Sequence, residues 1–202
     1  MNYLNDTPVA SIIFIFTLIT SIYAFNDATL YGKFMLHPYT VSKGKKLYTF
    51  ITSGLIHADW THLFFNMFTF YFFAFRLEMM IGHWQFGLLY FLSLILSDIP
   101  TVIKHKDHFW YNSLGASGAI SAVLFSYIMF EPMSLIGVMF IPMPAILFAI
   151  LYLAYSWYMS KNAKDNIGHD AHFFGALTGL IFTVIFVPGI IPYFIEKLTG
   201  NG

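Results

Sequence analysis

Apolar residues along the chain fall into blocks separated by short polar, glycine-marked or proline-marked breaks, and the block lengths predict helices that cross a membrane. Residues 9–25 form an unbroken apolar run of about the length needed to span a hydrocarbon core of roughly 30 Å. Further blocks over 60–80, 86–102, 117–130, 145–159 and 169–187 predict five more helices. Six such helices describe an all-α, polytopic, multi-pass bundle, and with no polar half the 202 residues read as one domain, 1–202. The segment 26–59 has a different texture. Lys33, His37, Lys43, Lys45 and Lys46 interleave there with Tyr31, Phe34, Met35, Tyr39 and Phe50, a mixture suited to the membrane surface. The block 117–130 is short: at 1.5 Å per residue it reaches roughly 21 Å, less than the hydrocarbon thickness. If its far end meets one surface, Ser117 lies below the other, and 104–114 must dip inward to join it. Irregular backbone at that depth survives where it is buried in protein or lines a wet cavity.

Composition sharpens this picture. Apolar residues make up 58% of the chain and charged ones 10%, against roughly 25% charged in an ordinary soluble domain. The expected surroundings are therefore a lipid bilayer, in the cell (inner) membrane if the source is bacterial. A net charge of zero gives no electrostatic footprint for nucleic acid. Cysteine is absent, which excludes disulfides, thiol catalysis and thiolate metal sites. Residues 1–7 carry no Lys or Arg ahead of the first apolar run, so they lack the basic start of a secretory signal and are read as retained.

Few polar side chains interrupt the apolar blocks, and these carry the candidate chemistry. His62 and Asn66 stand four apart, on one face of the second predicted helix, where polar groups at membrane depth should point into the bundle. Gly115-Ala116-Ser117-Gly118 places a hydroxyl at the start of the short fourth helix. A serine that attacks a carbonyl needs a base, and histidine is the usual one. His172 opens a stripe with Gly175, Ala176 and Gly179 on the sixth helix, and Gly118 and Ala122 offer a matching small-residue strip on the fourth. Close packing of the two would bring imidazole to hydroxyl. The amide ends of the fourth helix favour negative charge, and His62 and Asn66 add side-chain donors for an oxyanion. Asp98 is expected near the end of the third helix, close to water, and His105 and His108 in solvent. A metal-dependent membrane enzyme or metal transporter using His57, His62, His169, Asp170 and His172 is a weaker reading, because the chain has no His-Glu-x-x-His and no cysteine ligand. An aspartyl mechanism lacks a second carboxylate beside Asp98.

Three motifs together resemble those of the rhomboid intramembrane serine proteases: His62-x-x-x-Asn66, Gly115-Ala116-Ser117-Gly118, and Ala171-His172-x-x-Gly175-x-x-x-Gly179. The resemblance covers nearly the whole chain. It implies a Ser-His dyad with Ser117 as nucleophile and His172 as general base and then acid, and with His62, Asn66 and the Ser117 amide stabilising the oxyanion. It implies no metal and no cofactor, and transmembrane proteins as substrates, cut in or near a membrane-spanning segment. Arg76, Glu78 and Gly82 also match the family pattern, with a structural role. A non-proteolytic relative that binds transmembrane clients is the alternative, and the presence of both dyad residues argues against it.

Two features depart from the family. Many members carry a tyrosine one turn after the nucleophile, stacked on the catalytic imidazole, and here that position is Ser121; another aromatic such as Phe125 is expected to take its place. The loops after the first, third and fifth helices hold eight lysines while Arg76 and Lys197 lie opposite, so the positive-inside rule turns the site toward the cytoplasm. The resemblance implies the reverse, with both termini inside, and that orientation is the one adopted.

Overall fold

A computed structural model of the chain describes residues 3–138, 141–162 and 167–200. The elements in order are α1 (Tyr3–Asp6), α2 (Pro8–Ala24), α3 (Ala28–Phe34), α4 (Pro38–Val41), α5 (Thr49–Thr52), α6 (Trp60–Ile81), α7 (His83–His105), α8 (Ser117–Phe130), β1 (Leu135–Val138), β2 (Ile141–Pro144), α9 (Ala145–Asn162), α10 (His169–Phe186) and α11 (Ile190–Thr199). The architecture is an all-α bundle, its one described hairpin a two-stranded antiparallel connection between α8 and α9. The six long helices lie within a few residues of the predicted blocks. By length and composition α6, α7 and α10 among the described residues qualify as membrane spans, while α2 and α8 are apolar but shorter.

Helix α8 is the axis of the bundle. Twelve of its fourteen residues are buried, because the segment is apolar on every side and so must be surrounded. Helix α10 lies directly against it. A Cβ at Gly175 would fall 2.1 Å from the Gly118 carbonyl oxygen, and one at Gly179 would fall 2.2 Å from that of Ala122. Only glycine permits this approach. One turn deeper, the Thr183 hydroxyl donates to the Gly179 carbonyl at 2.7 Å and lies 2.6 Å from Ser126 Oγ, closing the seam with a buried polar contact. Helix α7 packs on the start of α8 through Ser97, whose Oγ sits where a Gly118 Cβ would be, 2.2 Å from it. Outward faces of α2, α6 and α10 present Ile12, Ile19, Phe64, Phe65, Ile181 and Ile185, all exposed. Large aliphatic and aromatic side chains covering the outside of a bundle suit hydrocarbon rather than water.

Glu78 has the structural role expected of it. Fully buried near the end of α6, its carboxylate accepts the Val9 and Ala10 amides at 3.1 and 2.7 Å and pairs with His83 Nδ1 at 2.7 Å. It caps the first turn of α2 from another helix, which the Thr7 side chain does not do.

Helix α7 corrects two expectations. It extends to His105 rather than ending near 102, carrying Pro100 within it, so Asp98 lies two turns from the helix end rather than at it. His105 is not free in solvent: it is partly buried, stacked on Tyr111 at 3.7 Å with the rings within 2° of parallel, and its Nδ1 lies 3.0 Å from that of His108.

The segment 104–114, which the sequence predicts to dip inward, is tied to the 26–59 segment. Leu36 and Ser113 exchange backbone bonds, each 2.9 Å, and the Gly115 amide donates to the Ser53 carbonyl at 2.9 Å. Irregular backbone at the head of α8 therefore has protein partners, which is the condition for its lying below a membrane surface.

Candidate active site

Gly115 turns the chain into α8 with φ of +113°, a conformation that side chains rarely adopt. A Cβ there would also lie 2.6 Å from His62 Cε1, so the glycine makes room for the imidazole as well as for the turn. Ala116 follows as N-cap and has no side chain able to cap, leaving the first-turn amides of α8 without a side-chain acceptor. Ser117, the first helical residue, keeps part of its surface accessible.

His62 comes from the first turn of α6. Asp59 starts that helix, its carboxylate accepting the His62 amide at 2.7 Å. Asn66, one turn on, is buried; its side-chain amide donates one hydrogen to the His62 carbonyl at 2.9 Å, and the other has no acceptor among the described residues. His57 buttresses His62, ring edge against ring face at 4.9 Å. Fully buried, His57 shares a 2.9 Å bond with Ser21 of α2 through Nδ1. The Ser21 hydroxyl is committed to the Leu55 carbonyl, so the imidazole is the donor. Burial, reinforced by His62 and opposed by Asp59, pushes the His57 pKa down to about 3 and keeps the ring neutral at ordinary pH.

His172 stands in the first turn of α10, its amide bonded to the Gly168 carbonyl. The glycine contacts bring it toward Ser117: Gly118 packs on Gly175, and its Cβ would lie 3.4 Å from the Ala171 carbonyl. Ser117 and His172 are the sequence neighbours of these touching residues. Gly115, Gly118, Gly175 and Gly179 thus gather Ser117, His172 and His62 at one end of the bundle. No hydrogen bond joins Ser117 to His172 among the described residues.

At the same end a cavity of about 490 Å³ opens between the ends of α7, α9 and α10, lined by Thr101, Lys104, Tyr111, Ser160 and Asp170 among others. Ser117 and His172 are outside its lining. Lys104 crosses the rim, donating to Asp170 at 2.7 Å and to the Ser160 carbonyl at 2.8 Å, and so ties three helix ends together. No group of three His, Asp or Glu side chains suited to a metal ion occurs among the described residues.

Phe125 is not the aromatic partner of His172. Phe125 is buried against Tyr152 at 5.4 Å, and the rings beside the imidazole are Tyr152 of α9, stacked at 6.3 Å and 28°, and His169, edge-on at 6.0 Å. Ser121 gave the signal, since a small hydroxyl where a ring was expected leaves space for one from elsewhere. His57 went unassigned as a buttress because nothing in its sequence neighbourhood reveals Ser21.

A helical bundle with an apolar outer surface and several helices long and apolar enough to cross a bilayer is an integral membrane protein. The Rhomboid domain model matches residues 44–189, and the chain belongs to the rhomboid family. It is 27% identical over 169 residues to "RHOMBOID-like protein 12, mitochondrial" of Arabidopsis thaliana, covering 74% of this chain and 50% of that one. It is 36% identical over 140 residues to "Putative rhomboid protease YdcA" of Bacillus subtilis (strain 168), covering 68% of this chain and 66% of that one. The chain thus spans half of the first relative's length and just under two thirds of the second's.

Proposed function

We propose that this protein is an intramembrane serine endopeptidase that cleaves other membrane proteins in or near a transmembrane segment, working as one domain whose six long helices all cross the bilayer. The observation that carries the reading is the backbone contact of α8 with α10 at Gly118 and Gly175, beside the junction of Gly115 with His62. These contacts support a constellation of nucleophile, base and oxyanion donor drawn from three helices.

In this mechanism His172 accepts the Ser117 proton as Oγ attacks the scissile carbonyl carbon, and the carbonyl electrons move to oxygen. The uncapped first-turn amides of α8, with His62 and the free Asn66 amide hydrogen, stabilise that oxyanion. Collapse expels the amine, which takes the proton from His172, and leaves an acyl-serine. Water then attacks the ester, giving its proton to His172, and a second collapse releases the acid and restores Ser117. The missing hydrogen bond between Ser117 and His172 is accommodated by tightening on substrate binding, as catalytic contacts in unliganded sites are often long.

The test is cleavage of a transmembrane reporter by purified parent, Ser117→Ala and His172→Ala proteins in lipid vesicles, with and without a chelator. Cleavage by the parent alone, insensitive to chelator, is the expected result. A parent that cleaves nothing while parent and Ser117→Ala bind transmembrane segments equally makes the protein a client binder.

A further inference from the structure

Ser121 lies one turn beyond Ser117 and carries no ring, yet it is built into the site. Its hydroxyl donates to the Ser117 carbonyl at 2.8 Å and lies 2.6 Å from the Tyr152 hydroxyl. Because its single proton goes to the carbonyl, Ser121 is the acceptor and Tyr152 Oη the donor in the second bond. The tyrosine is thereby pinned at its polar end, while Phe125 and Phe148 pack beside its ring at 5.4 and 5.3 Å. Held this way, the ring lies 6.3 Å from His172 and inclined by 28°, within the range of an offset stack.

We propose that Tyr152 is the positioning residue for the His172 imidazole, and that the Ser121–Tyr152 hydroxyl pair fixes its ring from α9. The proposal rests on the dyad reading above. A consequence follows from how α9 is packed. Of its eighteen residues only Ala145, Ala149 and Ser156 are buried, so the helix is held at the edge of the bundle by small contacts. The ring that orients the base therefore comes from the least embedded of the long helices. Base orientation is coupled to the seating of α9, and the bond to Ser121 ties that seating to the nucleophile's own backbone.

The experiment measures kcat and KM for reporter cleavage, together with the rate at which a fluorophosphonate modifies Ser117, in the parent and in Tyr152→Phe, Tyr152→Leu, Ser121→Ala and Ser121→Tyr/Tyr152→Leu. Loss of one aromatic contact predicts that Tyr152→Leu lowers kcat and the labelling rate by about 10-fold, with KM little changed. Tyr152→Phe and Ser121→Ala keep the ring but release its tether, and fall by about 3-fold in the same two quantities. The double variant returns a ring to α8 and recovers most of the lost rate, which a merely structural role for Tyr152 would not produce. Labelling of Tyr152→Leu and Ser121→Ala as fast as the parent overturns the proposal, as does a double variant no faster than Tyr152→Leu. A parent that neither cleaves nor labels defeats the dyad, and this inference with it.

Discussion

A single methyl at Gly175 is expected to disable the site from outside it. The added Cβ of Gly175→Ala would lie 2.1 Å from the Gly118 carbonyl oxygen, 2.8 Å from its carbon and 3.0 Å from its Cα. All three are backbone atoms of a buried helix, so no rotamer change relieves the contact and α10 must retreat by about 1 Å to reach ordinary separation. His172 sits one turn earlier on the same helix and moves with it. A displacement of that size costs on the order of 100-fold in a step that depends on near-attack geometry, beside about 1–3 kcal/mol of stability from overpacking. The assay is reporter cleavage in lipid vesicles, with kcat/KM normalised to the folded fraction measured by unfolding in mixed micelles. Gly32→Ala in α3, where a Cβ meets nothing within 4 Å, is the control and should match the parent. A folded Gly175→Ala protein within about twofold of parent activity would show that the α8–α10 spacing does not set the geometry of the dyad.

Three further outcomes follow from other parts of the molecule. Glu78→Ala strips a buried cap from two amides of α2 and should lower unfolding stability in micelles by about 3 kcal/mol, whereas the exposed Glu196→Ala changes it by less than about 0.5 kcal/mol; equal effects would deny Glu78 its capping role. His57 refuses a proton in the folded state down to about pH 3, although its ordinary pKa is 6.5. The unfolded chain takes up that proton first, so this contribution is complete above pH 6.5 and is lost as pH falls toward 3, by about 1.4 kcal/mol per pH unit; His57→Gln should reduce the measured slope by one proton, and an unchanged slope would refute the assignment. Reporter fusions should place the C-terminus in the cytoplasm, as the family resemblance implies and against the lysine count; an external C-terminus would reverse the orientation.

The long helices were legible because each is an apolar block bounded by glycine, proline or a polar break, and the hydrocarbon thickness fixes how long such a block is. The α8–α10 seam was legible for a similar reason: glycines four apart have few uses on a membrane helix besides close approach. Contacts between segments distant in sequence were not. Glu78 reads as an isolated acid near a helix end until Val9 and Ala10 are seen beside it, and the Tyr152–Ser121 bond joins residues 31 positions apart. The end of α7 was misjudged because the apolar block stops ahead of Lys104, whereas Lys104 and His105 form the helix's last turn. Pro100 removes one donor and is absorbed within the helix.

The most direct measurement is to treat the purified protein with a fluorophosphonate and identify the modified residue by mass spectrometry, in the parent and in His172→Ala. The account predicts an adduct on Ser117 in the parent and little or none in the variant, since Oγ is a weak nucleophile without its base. No adduct on Ser117 in an active parent, or an adduct formed equally fast without His172, would contradict it.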